Sequence, residues 1–182
     1  MPIPMILLFL FMVGFGGGVM AAFLNSQVLL TDIQVFTPDF FYKLENVTID
    51  KKALFILALG RQLRTFFLLL LLSSTAMKKP LLYSYPILQG GFIGTTMELL
   101  LILYGLTGMG IYILLVLPHG IFYFLSYSIL LVQKLKEGEE EKEAYIFLQK
   151  KKERRQKLFM ALVLLVIGSI TEAYCNLFIL FH

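Results

Sequence analysis

The sequence predicts an all-α fold: an integral membrane bundle of about five transmembrane helices, with an interfacial helix before the second. Three observations carry this reading. Hydrophobic residues make up 58% of the 182 residues, against about 45–50% in a soluble domain, and the mean hydropathy is +0.81. The apolar residues gather into runs close to the ~20 residues that cross a bilayer as a helix. Fourteen of the sixteen lysines and arginines fall between those runs, mostly in two of the connections. No remaining segment is long enough to bury a separate soluble core, so residues 1–182 read as a single membrane domain.

The first run extends from Ile3 to Leu24. Val19-Met20-Ala21 resembles a signal-peptide cleavage site, but no lysine or arginine precedes the apolar run, so it reads as a retained helix. Gly14, Gly17, Gly18, Ala21 and Ala22 stand at small-xxx-small spacing, which admits a close helix neighbour. Residues 25–52 form a polar, extracytoplasmic segment. Its Phe40-Phe41-Tyr42 suits a headgroup layer, and its Asn46-Val47-Thr48 matches a weak glycosylation sequon.

The second run, Ala53 to Ala76, is apolar except at Gly60, Arg61, Gln62 and Arg64. A continuous helix puts both arginines at depth, one turn apart on a shared face. Alternatively Asp50 to Gly60 lies along the interface and the crossing runs from Leu63 to Lys79. The second geometry is favoured, because it leaves Arg61 and Arg64 near headgroups. Pro80 marks a tight turn into the third run, Leu81 to Tyr104. Gly105 to Gly110 is a flexible turn, the fourth run is Ile111 to Val132, and the fifth begins at Leu158. Residues 133–157 form a charged loop, helical from its Glu and Lys content.

Orientation follows from basic residues. Eleven lie between runs two and three or between four and five, against Lys43, Lys51 and Lys52 on the other side. The larger group is therefore cytoplasmic, which puts a five-crossing chain in the cell membrane with its N-terminus cytoplasmic and its C-terminus extracytoplasmic. The sequence pI is ≈ 9.1, yet the basic residues concentrate beside a membrane helix. Orientation and anionic lipid account for them, and no nucleic-acid partner is expected. Cys175 is the only cysteine, so an intramolecular disulfide is excluded.

Each of the last three runs carries a polar stripe at helical spacing. Gly91, Gly94, Glu98 and Gly105 share one face of the third. His119, Tyr123 and Ser126 share one on the fourth, just after Pro118, where a kink is expected. Gly168, Ser169, Glu172 and Asn176 line up on the fifth. Glycines permit close contact, and the polar groups then find partners across it. Glu98, His119 and Glu172 are expected to converge, either as a structural hydrogen-bond network or as a proton or ion relay. Enzymatic readings find no support. Ser126 and Ser169 lack a base at interpretable spacing, and no phosphate-binding glycine loop is present. No cofactor and no metal is expected.

Three elements carry a family resemblance: Gly91-Phe92-Ile93-Gly94 in the third run, Leu117-Pro118-His119-Gly120 in the fourth, and Ile170-Thr171-Glu172-Ala173-Tyr174 in the fifth. Their order and spacing resemble the stage II sporulation protein M family of multipass membrane proteins, over roughly Gly60 to the end. Many members carry a glutamate three residues after the glycine of the second element, where this chain has Tyr123. The resemblance implies a non-enzymatic scaffold that recruits peptidoglycan-remodelling enzymes during engulfment in endospore formation. Its partners are then the lipid bilayer and membrane or extracytoplasmic proteins. The alternative is a small transporter or permease-associated subunit that uses buried Glu and His as a relay.

Overall fold

Four helices account for nearly all of the described residues of the computed structural model, which are 2–26, 50–75, 77–136 and 147–180. They are α1 (Ile3–Leu24), α2 (Lys51–Leu72), α3 (Lys78–Lys136) and α4 (Phe147–Leu180). Each of the four is long and apolar enough, in whole or in part, to cross a membrane. Most of residues 25–52, with the aromatic run and the sequon, and residues 137–146 of the charged loop lie outside the described residues; the rest of that loop is helical, as the end of α3 and the start of α4.

Local chemistry sets the ends. Asp50 caps α2, its carboxylate accepting from the Lys52 amide at 2.9 Å. After Leu72 the hydroxyls of Ser73 and Thr75 turn back onto the carbonyls of Leu70 and Leu72, closing the helix with local bonds. Pro80, expected at the turn, instead occupies the first turn of α3, where a missing N–H goes unmissed. α2 also departs from expectation. It runs unbroken through Gly60 and Arg61, so Asp50 to Gly60 is not a separate interfacial helix. One glycine weakens a helix by only about 1 kcal/mol.

α3 is two helical arms broken at Gly105, whose φ of 61° and ψ of −145° lie outside the range of an L side chain. The broad turn expected over Gly105 to Gly110 thus contracts to one residue. Beyond it the chain doubles back: Gly108 sits on Leu100, and the rings of Tyr85 and Tyr127 lie 5.3 Å apart. The arms (78–104 and 106–136) are therefore antiparallel. Pro118 lies inside the second arm without breaking it.

α1 packs on the first arm through glycine. A Cβ on Gly14, Gly18, Gly90 or Gly94 would run into the backbone carbonyl of Ile87, Gly91, Phe11 or Phe15 respectively. The partner numbers rise together, so these two helices are parallel, and the Thr95 hydroxyl donates across the seam to the Gly18 carbonyl. The contact is wider than the expected face by one residue. Gly90 joins Gly94 as a position where no Cβ fits, Gly91 lies in the contact through its backbone against Gly18, and Gly17 faces open space.

α4 runs antiparallel to the second arm, with Ser126 donating to the Ala161 carbonyl at 2.7 Å and Gln133 to the Arg154 carbonyl at 2.9 Å. Carried along the arms, this register brings Lys78, Lys79, Lys134, Lys136 and the basic start of α4 to one end of the bundle. The buried apolar core, including Phe66, Leu82, Leu130 and Leu165, lies toward that same end. The outer faces are studded with exposed apolar side chains, among them Leu71, Phe92 and Leu106. Exposure on that scale suits a hydrocarbon solvent and not water.

Candidate functional site

The polar side chains meet at mid-height of the bundle, where α2, the second arm of α3 and α4 come together. Tyr123 stands thirteen residues before the end of α3, about 20 Å along a helix rising 1.5 Å per residue. Glu172 is the centre. Its Oε1 accepts from Arg61 Nη2 at 2.5 Å and its Oε2 from the Tyr123 hydroxyl at 2.6 Å. The Glu172 side chain is 14% exposed and that of Arg61 59%. The Tyr123 hydroxyl also lies 3.3 Å from Ser169 Oγ, which itself donates to the Leu165 carbonyl.

Gly168 holds this arrangement open. A Cβ there would stand 2.7 Å from Tyr123 Cε1, so any larger residue displaces the ring that reaches Glu172. His119 leans edge-on against the same ring at 5.6 Å, and its buried Nδ1 finds no hydrogen-bond partner among the described residues. One turn further along, the Tyr127 hydroxyl donates to Gln62 Oε1 at 2.7 Å, and Gln89 Nε2 donates to the Tyr85 hydroxyl at 2.9 Å. Two polar ties thus bind α2 to the second arm, one through Tyr127 and one through Glu172.

A cavity of about 610 Å³ lies alongside. Leu7 and Phe11 of α1, Arg61 and Gln62 of α2, and both arms of α3 form its walls, with His119, Gly120 and Tyr123 among the contributors.

Of the residues singled out from sequence, Arg61, His119, Tyr123 and Glu172 come together. Glu98 does not join them. It lies one turn beyond Gly94, half-buried, and makes no hydrogen bond or ion pair among the described residues. The expected convergence of three titratable groups is therefore a convergence of two. Arg64 is exposed and forms no ion pair among the described residues. Asn176 falls on α4, outside the residues whose side chains are described. Sequence reasoning passed over Gln62, Tyr85, Gln89 and Tyr127. Extending the His119–Tyr123 stripe by one turn reaches Tyr127 directly, whereas nothing local marks Gln89 as the partner of Tyr85. No protein-family model, no curated protein and no solved structure matches this chain.

Proposed function

We propose that this is a non-catalytic, multipass cell-membrane protein with five crossings, acting as a scaffold for other envelope proteins. The observation that carries the reading is the closed state of Glu172. Both carboxylate oxygens are engaged, one by a guanidinium and one by a phenol. A carboxylate so held ties three helices into a fixed arrangement, as a platform for partners requires. A relay needs a carboxylate free to exchange its partner.

The doubling back at Gly105 supports five crossings, since it turns one apolar stretch of 59 residues into two arms. The parallel course of α1 and the first arm agrees, because two parallel crossings start on a common side only if an odd number of crossings, here α2 alone, lies between them. Basic residues at one end make that end cytoplasmic. The N-terminus is then cytoplasmic and the C-terminus extracytoplasmic. The resemblance to the stage II sporulation protein M family supplies the partners: cell-wall-remodelling enzymes acting in engulfment. Where many relatives carry glutamate, Tyr123 donates to Glu172, so this position closes the carboxylate and does not add a second one. A transporter or permease-associated reading draws on one observation, the cavity beside His119.

Photo-crosslinking in native membranes tests the choice. Reactive residues at Lys52 and Thr107, both exposed, are expected to capture wall-degrading enzymes or their membrane anchors. Glu172→Gln, which keeps the size and loses the charge, is expected to remain abundant and active. Capture of a cytoplasmic ATPase alone, with an abundant but inactive Glu172→Gln, overturns the scaffold in favour of the relay.

A further inference from the structure

The cavity beside the Glu172 tie is more room than a packing contact needs. At about 610 Å³ it falls within the ~300–1,000 Å³ of small-ligand pockets. The glycines divide sharply around it. Gly14, Gly18, Gly90 and Gly94 have backbone where a side chain would go, whereas a Cβ on Gly120 would meet only Val116 Cγ1, at 3.8 Å in its own helix. Gly120 lines the cavity. Its missing side chain therefore leaves space and does not serve a helix contact.

The walls differ in character. On one wall, Arg61 offers N–H groups beyond the one given to Glu172. Gln62 has its carboxamide oxygen occupied by Tyr127, which leaves its NH₂ as a donor. A wall rich in donors, one of them a guanidinium, selects an acceptor-bearing, anionic head. Most of the remaining wall is apolar, from residues such as Leu7, Phe11 and Val116, with Thr65, Gln89, His119 and Ser128 set among them. Leu88 and Phe92, also lining residues, are 70% and 78% exposed, so the cavity edge meets the apolar outer face of the bundle.

We propose that this cavity binds one single-chain amphiphile from the bilayer, a long-chain carboxylate. Its head lies against Arg61 and Gln62, and its hydrocarbon chain leaves past Leu88 and Phe92. The proposal rests on the membrane-embedded reading and is independent of the scaffold role.

The chain contains no tryptophan, so a single introduced one reports alone. Phe11→Trp places it on the cavity wall, and Phe67→Trp, at a 54% exposed position away from the cavity, serves as the bilayer control. The full-length variants are reconstituted in phosphatidylcholine vesicles and titrated with brominated stearate. Quenching of Phe11→Trp is expected to saturate at low mole fraction, while that of Phe67→Trp rises in proportion to the bromolipid. Gly120→Leu, which fills the cavity and favours the helix, is expected to abolish the saturable component. Gln62→Leu is expected to raise the half-saturating fraction about tenfold, for a lost hydrogen bond to a charged head. Proportional quenching at both positions overturns the proposal, as does saturation that survives Gly120→Leu. Equal saturation by a brominated two-chain phosphatidylcholine overturns the single-chain assignment. Absence of quenching at Phe67→Trp sinks the membrane reading instead, so the two failures are distinguishable.

Discussion

Replacing Arg61 by methionine removes the cation facing Glu172 and keeps most of the apolar stem. An exposed ion pair contributes about 0.2–1 kcal/mol, whereas breaking a buried one costs about 3–5 kcal/mol. The pair here lies between those limits, with Glu172 14% exposed and Arg61 59%, so about 2 kcal/mol is expected for Arg61→Met. Glu172→Leu is expected to lose a similar amount, since it strands the guanidinium and the Tyr123 hydroxyl together. With both charges gone, neither is left unpaired. The double variant should therefore lose about 2 kcal/mol and not the ~4 of a simple sum, a coupling of about 2 kcal/mol. That coupling is a factor of about 30 in the folded-to-unfolded ratio, well within reach of reversible unfolding in mixed micelles. Additivity within about 0.5 kcal/mol would refute the clasp as an energetic unit, whatever the geometry.

Two further outcomes follow from the same architecture. Gly18→Leu drives a side chain into the Gly91 carbonyl, while Gly17→Leu meets open space; the first is expected to lose ~1–3 kcal/mol or more and the second almost nothing, measured as the yield of monodisperse folded protein in detergent. Reporter fusions after Lys79 and within residues 137–143 should read cytoplasmic, and fusions at Gly108 and His182 external; a cytoplasmic C-terminus would rule out five crossings.

The all-helical character and the membrane-length apolar segments were legible in the sequence because bilayer insertion is a nearly additive property of consecutive residues. Glu172 was legible for a related reason. A carboxylate in an apolar run is conspicuous wherever it finally points. Gly105 was visible only as part of a glycine-rich stretch. That the turn collapses onto this one residue depends on Gly108 closing against Leu100, a contact made after the chain has folded back.

Other features were out of reach for a geometric reason. A helix advances 3.6 residues per turn, so moving a contact by one position rotates it by roughly 100° around the axis. Spacing alone placed the packing stripe on Gly91 and Gly94, but in the structure Gly90 shares the tight contact with them. The same ambiguity set Glu98 among the converging groups, although no hydrogen bond or ion pair joins it to them among the described residues. It also hid the partner of Arg61, because nothing near it in sequence neutralises its charge. Its partner lies 111 residues away.

By itself, then, the sequence determined which segments are helical, which are apolar enough to leave water, and at which end the basic residues collect. Those properties depend on composition and local order, and they survive any rotation of one helix against another. Only the tertiary structure decided that Arg61 answers Glu172, that Tyr123 and not a second carboxylate completes the site, and that Gly120 leaves a cavity beside it. Such pairings depend on the rotational phase and vertical register of separate helices, which packing sets for the whole bundle at once.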